Sequence, residues 1–222
     1  MGARGDQCIG CNSDGGIWCS SCQERAVRIE PPLCKRCGYP SQRTICKWCR
    51  YESPWFDSVR SWARYSGELR SALLYLKTQK NFKLATALAT HLETILLPSW
   101  QIDVMVPVPL SAARLRIRGF NQTELLTEAL AHIVRLPIAL KALVRIRNTE
   151  FQKTLSRAER EQNVKRVFRA DKRSVAGMKI LVVDDIFVTG ATINSASKAI
   201  KVAGGQSVFA ITVARSLLNK PA

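Results

Sequence analysis

The chain has 222 residues, and 46% of them are apolar, which is enough to bury a core and excludes a wholly disordered protein. Its 34 lysines and arginines outnumber 17 acidic residues, so the formal net charge is +17. A charge of this size predicts a polyanionic partner: nucleic acid, anionic lipid or a phosphate-rich small molecule. The sequence shows no apolar run of about 18 residues and no signal-peptide pattern. We therefore expect no transmembrane segment and a cytoplasmic location.

All eight cysteines lie within the first 49 residues, in four C-x-x-C pairs. Two such pairs can surround one metal ion with four thiolates, which is typical of structural zinc sites. Seven residues separate the first pair from the second, and eight separate the third from the fourth, which favours two sequential sites. The expected ligands are Cys8, Cys11, Cys19 and Cys22 for one zinc, and Cys34, Cys37, Cys46 and Cys49 for the other. A cross-braced arrangement, in which the first pair joins the third, stays open.

Repeated pairs in a chain without an export signal argue against disulfides and against a single redox motif. Because each site would use four thiolates as ligands, neither would keep an open position for catalysis. The segment has few apolar residues, so metal binding must supply much of its folding free energy. We predict a Cys-rich double zinc-binding module at 1–53 and a second domain at 54–222.

The rest of the chain alternates between short β-branched runs and apolar residues at helical spacing. In chain order, we expect a strand at 58–65, helices at 67–79 and 82–97, a strand at 102–108, helices at 121–134 and 157–163, a strand at 179–184, a helix at 191–202 and a strand at 207–213. This alternation predicts βαβ units, and thus an α/β fold with a parallel sheet flanked by helices.

The predicted strand at 179–184 ends in two adjacent acids, Asp184 and Asp185, and a turn with Thr189, Gly190 and Thr192 follows. The N–H groups that begin a helix carry partial positive charge and bind phosphate readily. Glycine allows close backbone approach, and threonine hydroxyls add hydrogen-bond donors. Carboxylates at the carboxyl end of a parallel strand can accept hydrogen bonds from sugar hydroxyls. This spacing predicts a ribose 5-phosphate group, with its phosphate on the turn.

An ordinary capped helix after a strand is the plain alternative for this turn, with Thr189 or Thr192 as the N-cap. That alternative accounts for the threonines but not for the two acids. Two like charges at a buried strand end cost free energy unless something uses them, so we favour the ligand site.

The stretch Val183–Thr192 resembles the 5-phosphoribosyl 1-pyrophosphate (PRPP) signature of type I phosphoribosyltransferases. The whole chain resembles the ComF family, ComFC/GntX-like proteins linked to DNA uptake and natural competence in bacteria. Three further stretches match that family: Val106–Leu110, Arg114–Gln122, and the spaced set Arg147, Thr149, Gln152, Leu155, Arg160, Asn163 and Phe168. Val188 departs from the signature, which usually has threonine there. The resemblance implies a type I phosphoribosyltransferase fold with an N-terminal zinc module.

The resemblance also implies which residues bind PRPP, together with Mg²⁺ at the pyrophosphate. They are Asp184, Asp185, Val188, Thr189, Gly190, Ala191, Thr192, Val108, Pro109 and Arg118. The turn after Val108 is expected to face the pyrophosphate. Arg114, Arg116 and Arg118 are expected on a mobile loop which, if extended, presents three guanidinium groups to one side and can close over the ligand.

Residues 114–173 hold 15 lysines and arginines and six acids, more positive charge than one PRPP needs. A polymeric anion is the natural partner for the excess, and we expect single-stranded DNA. The expected contacts are Arg114, Arg116, Arg118, Lys153 and Arg157.

Three functions stay open. The first is a PRPP-binding protein of DNA uptake that handles single-stranded DNA beside uptake machinery at the inner membrane. The second is an active phosphoribosyltransferase with an unnamed acceptor and the zinc module as a hood over it. The third is a zinc-stabilised adaptor that only senses PRPP. No nucleophile is paired with a base, and His91 and His132 are expected at packing or surface positions.

Overall fold

The computed structural model of the chain describes residues 7–146 and 167–217, and these build a four-stranded parallel sheet. The strands are β1 (Ser58–Arg64), β2 (Val104–Pro107), β5 (Lys179–Phe187) and β6 (Ser207–Arg215). Their order in the sheet is β1-β6-β5-β2, and every neighbouring pair is parallel. A separate antiparallel pair joins β3 (Leu143–Arg145) to β4 (Phe168–Ala170). All four parallel strands therefore end at one edge of the sheet, where a ligand site is expected.

Helices cover both faces of this sheet. They are α1 (Ser20–Arg25), α2 (Lys47–Glu52), α3 (Gly67–Thr78), α4 (Phe82–Glu93), α5 (Ala112–Arg118), α6 (Gln122–Val134), α7 (Lys172–Val175) and α8 (Ala191–Val202). A short 3-10 turn at Pro98–Trp100 precedes β2. Within the described ranges, no helix combines the length and apolarity that crossing a bilayer requires. The expected α/β fold with helices on a parallel sheet is confirmed.

Alternate residues of the central strands point to opposite faces and feed two apolar cores. Leu181 and Val183 of β5 join the core that α3, α4 and α6 cover. Ile180 and Val182 join the core on the α8 side. Because both faces are covered, β5 is apolar at consecutive positions, which is the pattern that predicted a buried parallel strand.

The Cys-rich segment packs against the edge strand β1 and contributes to both cores. Cys8, Cys19 and Cys22 belong to the core under α3 and α4, and the four cysteines of 34–49 contribute to the core on the α8 side. The Ile29 amide donates to the Trp62 carbonyl over 3.1 Å, and the Val59 amide donates to the Arg36 carbonyl over 2.7 Å. The segment thereby pairs with part of the open edge of β1, which would otherwise expose unpaired backbone groups.

Several boundaries differ from the sequence prediction. The strand predicted to end at Asp184 continues to Phe187, so both acids lie inside a strand rather than after one. The helix predicted to reach residue 97 ends at Glu93, ahead of the turn that contains Pro98. The segment 112–118, expected as a loop, is the helix α5. The helix predicted at 157–163 lies outside the described residues.

Two leucines of α3 allow a test of its packing. Leu76 is fully buried, whereas Leu74 is 41% exposed on the same helix. We expect Leu76→Ala to lower the free energy of unfolding by about 2–5 kcal/mol, because it removes buried methyl groups and leaves a cavity. Leu74→Ala should change it by about 0.5 kcal/mol. Urea unfolding of both variants measures the difference, and equal losses would contradict this packing.

Candidate functional site

The turn between β5 and α8 presents the start of a 12-residue helix to solvent. Val188, Thr189, Ala191 and Thr192 are exposed, and the Thr189 hydroxyl accepts a hydrogen bond from the Ala191 amide over 3.3 Å. These residues and Asp184 line a small cavity of about 60 Å³. The helix N-terminus, with its partial positive charge, can therefore receive a phosphate there.

Gly190 is required in this turn for two separate reasons. Its φ of 87° lies in the left-handed region that side chains disfavour. A Cβ atom at this position would also lie 2.6 Å from Cζ of Phe187, the last residue of β5. The ring of Phe187 thus supports the turn from below, and only glycine lets the backbone rest on it.

The acid pair is buried, with Asp184 8% and Asp185 6% exposed. The two side chains point to opposite faces of β5, since successive strand residues alternate. Asp184 accepts a hydrogen bond from the Asp185 amide over 2.9 Å. Burial first, and then the charge of Asp185, raises the pKa of Asp184 well above its usual range. A ligand that brings hydroxyl donors or a cation to this edge would relieve that unfavourable state.

Asp185 is held by two side chains, one from each of two helices. Lys77 Nζ of α3 lies 3.0 Å from Asp185 Oδ2, and Gln122 Nε2 of α6 donates to the same oxygen over 3.1 Å. Arg118 Nη1 in turn donates to Gln122 Oε1 over 3.0 Å. No motif marks Lys77 in the sequence, because it is one polar residue on an amphipathic helix.

The predicted pyrophosphate-facing turn follows β2 next to this network. The Val108 carbonyl accepts hydrogen bonds from Thr123 Oγ1 over 2.6 Å and from Asn121 Nδ2 over 3.2 Å. Pro109 is half-buried, and Ser111 Oγ caps α5 by accepting from the Arg114 amide over 3.3 Å. The structure thus places Val108 and Pro109 at the same sheet edge as the acids, since the Val108 amide donates to the Val183 carbonyl.

The arginine run does not form the extended loop that was expected. It is helical, so Arg116 points about 200° away from Arg114, whereas Arg118 returns to the side of Arg114. The prediction of a loop is wrong, and the condition for three guanidinium groups on one side, an extended segment, is not met, because a helix turns about 100° with each residue. No residue of α5 is buried, and its apolar Ile117 is 86% exposed.

A third arginine, Arg145 of β3, joins Arg114 and Arg118 near the acids. Burial, followed by the charge of Arg114, lowers the pKa values of both Arg118 and Arg145. The charge of Asp185 raises the pKa of Arg118 in part, and the charge of Asp184 does the same for Arg145. Three guanidinium groups within electrostatic reach of one another favour an anion between them. Arg145 stands alone in a short strand, so the sequence pattern did not reveal it.

The eight cysteines form the two sequential clusters that the loop lengths favoured. Each cluster brings four Sγ atoms within 4.8 Å of one another: Cys8, Cys11, Cys19 and Cys22 in the first, and Cys34, Cys37, Cys46 and Cys49 in the second. A tetrahedral zinc site with bonds of about 2.3 Å has sulfur atoms about 3.8 Å apart. Neighbouring Sγ atoms here lie 3.6 Å apart for Cys8 and Cys22 and 3.7 Å apart for Cys37 and Cys46.

Backbone amides further stabilise thiolates in both clusters. The Cys19 amide donates to Cys8 Sγ over 3.4 Å, and the Cys46 amide donates to Cys34 Sγ over 3.3 Å. The sulfur of Cys37, together with burial, raises the pKa of Cys49 far above its usual range. Four deprotonated thiols so close together need a cation among them, so the donor set fits a structural metal ion.

Other predicted positions lie apart from the site or outside the described residues. Lys153 and Arg157 fall in 147–166, which the structure does not describe. His91 is buried and stacks on Trp62 with ring centroids 3.9 Å apart, so it packs as expected, and His132 is exposed. Burial lowers the pKa of His91 to about 4.

A larger cavity of about 590 Å³ lies between β4 and α8, away from the acid pair. Apolar side chains such as Val202 line much of it, with Lys172, Lys198 and Arg169 among its polar residues. Neither Asp184 nor Asp185 lines it, and its lining residues in the described part of the chain include no carboxylate. The chemistry therefore favours the small cavity at the turn.

Comparison with known proteins identifies related sequences. Residues 124–221 match the family model of the phosphoribosyl transferase domain. DNA utilization protein YhgH of Salmonella typhimurium is 31% identical over 207 residues, covering 90% of each chain. Competence protein ComFC of Bacillus subtilis is 29% identical, covering 89% of this chain and 84% of that one. Competence protein F of Haemophilus influenzae is 27% identical, covering 95% and 97%.

Similar solved structures include glutamine PRPP amidotransferase from B. subtilis. It is 23% identical, with a TM-score of 0.40, over 66% of this chain and 26% of that one. A hypoxanthine phosphoribosyltransferase of Trypanosoma cruzi gives a TM-score of 0.35 at 17% identity, over 69% and 71%.

The sequential pairing of the cysteines can be tested by metal counting. Replacing Cys34 and Cys37 with serine removes two ligands of the second cluster and none of the first. We expect the purified variant to lose one of two bound metal ions and to keep its sheet, as measured by elemental analysis and circular dichroism. The matched variant Cys8→Ser with Cys11→Ser should also lose one ion. Combining all four replacements removes two ligands from each sequential cluster and should release both ions. Retention of one ion by this variant would instead favour cross-braced sites, in which the first pair joins the third.

Proposed function

The chain belongs to the ComF family of competence and DNA utilization proteins, and from this premise we propose that it binds PRPP and handles single-stranded DNA during DNA uptake. The observation that carries the proposal is the joint position of the acid pair and the glycine turn at the carboxyl edge of the sheet. The YhgH relative and the phosphoribosyl transferase match support the same assignment from the sequence side.

In this proposal the turn holds the 5′-phosphate of PRPP. The amides that begin α8 and the hydroxyls of Thr189 and Thr192 supply donors around the phosphate. The carboxylates of Asp184 and Asp185 accept hydrogen bonds from the ribose hydroxyls. Val188 adds no hydroxyl, and Ala191 contributes its backbone, so the loss of one threonine from the signature leaves the turn able to bind.

The pyrophosphate of PRPP would lie toward α5 and β3. Arg118 lies within electrostatic reach of Asp185, and Arg145 within reach of Asp184. The turn at Val108 and Pro109 borders the same edge. The carboxylates at this edge are the hard oxygen ligands that Mg²⁺ prefers, so they would hold the ion, which would supply positive charge beside the pyrophosphate. Lys77 neutralises Asp185 and keeps its carboxylate oriented.

Single-stranded DNA would follow the exposed arginines of α5. Arg114 and Arg116 are exposed, and the net charge of +17 exceeds what a small phosphate ligand needs. Such contacts neutralise phosphates and act without regard to base sequence. Arg118 lies on the same helix as these arginines and donates to Gln122, which bonds Asp185. It therefore borders both proposed ligands.

Two zinc ions would occupy the Cys clusters and stabilise the N-terminal segment. Thiolate ligands persist where thiols stay reduced, which supports the cytoplasm as the location. There the protein would receive the incoming strand from uptake machinery at the inner membrane.

PRPP binding is tested by calorimetry with Mg²⁺ present. We expect Asp184→Asn with Asp185→Asn to abolish binding, because the amides no longer offer carboxylate acceptors, while circular dichroism stays native. Lys77→Met should weaken binding without abolishing it, since it frees Asp185 but removes no ligand contact. Affinity retained by the double variant would show that the acids are structural.

Pyrophosphate release with a panel of bases would establish the alternative, an active phosphoribosyltransferase.

DNA binding is tested by titrating single-stranded DNA at several salt concentrations. We expect Arg114→Ala with Arg116→Ala and Arg118→Ala to weaken binding and to reduce the salt slope by about 2, at about 0.7 for each lost phosphate contact. Replacing the exposed Arg70, Lys80 and Lys83 of the α3–α4 side with alanine removes the same net charge and serves as the control. Equal losses of DNA affinity in both triple variants would show that only the total charge of the protein matters. In that case α5 would not be the DNA-binding surface.

A further inference from the structure

Arg215, the last residue of β6, is a fully buried cation. Its Nη1 donates a hydrogen bond to the Cys37 carbonyl. Its Nε and Nη2 have no hydrogen-bond partner among residues 7–146 and 167–217. A buried charge is costly unless an opposite charge lies next to it, so the position of Arg215 calls for a neighbouring anion.

The charged groups that face Arg215 are the thiols of the second Cys cluster. Arg215 Nη1 is bonded to the backbone of Cys37, one of the four ligands of that cluster, and the other three are Cys34, Cys46 and Cys49. In the described part of the chain, no carboxylate forms a salt bridge with this guanidinium. A divalent ion held by four thiolates carries a net charge of about −2, which is the anion that Arg215 lacks.

Arg60 is a second cation near this cluster, but its situation differs. Its Nη1 donates to Ser58 Oγ over 2.9 Å and to two backbone carbonyls. Oxygen acceptors therefore compensate part of its burial. Among the residues that the structure describes, the Arg215 guanidinium has one oxygen acceptor, the Cys37 carbonyl, and it therefore depends more strongly on the cluster.

The other side of the Arg215 guanidinium contacts the phosphate turn. Its Cζ lies 4.1 Å from the ring centroid of Phe187, a cation–π contact at a buried position. The same ring fills the space under Gly190. Phe187 also meets Phe56 edge-on at 6.3 Å, and Phe56 stacks on Trp48 of the second Cys-rich half at 6.5 Å. A continuous set of contacts therefore runs from the Cys cluster to the turn.

We propose that Arg215 is the counter-ion of the metal-loaded second cluster and that, through Phe187, it positions the phosphate turn. Metal binding at the cluster and sugar-phosphate binding at the turn then stabilise each other. Reciprocity is required, because a coupling free energy between two sites acts equally in both directions. The coupling rests on the proposed binding of PRPP at the turn, whereas the counter-ion role does not.

The first cluster supplies an internal control for this idea. Arg25 Nη2 donates to Cys22 Sγ over 3.3 Å, so this cluster also has an arginine partner. The Arg25 side chain is 49% exposed, however, and its Nε lies 2.8 Å from Glu68. Solvent and a carboxylate screen this arginine, and it has no contact with the phosphate turn among the bonds of the described residues.

The test uses full-length protein with both clusters loaded with cadmium, whose NMR spectrum gives one resonance for each tetrathiolate site. Transfer of cadmium to a chelator is followed for each resonance, with and without ribose 5-phosphate, which needs no Mg²⁺. In the wild type, we expect the sugar phosphate to shift the second-cluster resonance and to raise the apparent cadmium affinity there by about fivefold or more, read from the equilibrium share of cadmium that the chelator removes. Metal loss from that cluster should also become slower. The first-cluster resonance should not respond.

Arg215→Met should speed metal loss from the second cluster by about tenfold or more, because the dianion loses its buried counter-ion. It should also remove the effect of ribose 5-phosphate. Arg215→Lys keeps the positive charge and should restore slow metal loss, which a role in packing alone would not predict. Arg25→Met should affect the first cluster only.

Phe187→Leu keeps the counter-ion, so metal loss from the second cluster without ribose 5-phosphate should stay close to wild type. The same variant should remove the effect of ribose 5-phosphate on metal loss.

The outcomes separate this proposal from the proposed function. A wild type that shows no calorimetric binding of ribose 5-phosphate or PRPP overturns the proposed function and the coupling together. A wild type that binds the sugar phosphate but loses metal at an unchanged rate and to an unchanged equilibrium extent overturns the coupling alone. Unchanged metal loss in Arg215→Met, or equally fast loss in Arg215→Lys, overturns the counter-ion role in either case. If Arg215→Met does not fold, the Arg215→Lys and Phe187→Leu results decide.

Discussion

The contact between the Phe187 ring and the backbone of Gly190 is the constraint on which the site depends. It fixes how closely the turn approaches the end of β5, since a side chain at Gly190 would collide with the ring. The helix that follows then begins at the sheet edge, where its first residues line one small cavity together with Asp184. A phosphate at the turn and a sugar at the carboxylates can therefore belong to one ligand. Because the interior is closely packed, a shift of this ring would also displace the other residues that it contacts.

Charge balance explains several features around this contact. A chain with a net charge of +17 keeps two acids buried at the sheet edge, and Lys77 already compensates one of them. The raised pKa of Asp184 shows that the other is left in an unfavourable environment until something approaches it. Arginines from α5 and β3 lie close enough to serve an anion but do not themselves neutralise Asp184 fully. The edge is thus prepared for a ligand with both hydroxyl donors and phosphates.

Much of this architecture could be predicted from local patterns. The helix at 191–202 and the strands near 58–64 and 207–215 follow from apolar periodicity, and the two Cys clusters follow from loop lengths. The helical state of α5 could not be predicted in the same way, because Arg-Leu-Arg-Ile-Arg alternates as a strand does and its helix is stabilised by the Ser111 cap. Lys77, Arg145 and Arg215 were missed for another reason. Their roles arise from neighbours far away in sequence, and no spacing within a segment records such contacts.

The Cys clusters occupy a place in the fold that an appended module would not need. One belongs to each of the two cores, and together they lie on both sides of the edge strand β1. Loss of metal from the second cluster would leave Arg215 buried without a counter-charge at the end of β6, the strand between β1 and β5. The unfavourable free energy of this buried charge would therefore destabilise the sheet and the turn that Phe187 supports, as well as the N-terminal segment. If the proposed coupling holds, a metal site that performs no chemistry sets the geometry at which a phosphate would be bound.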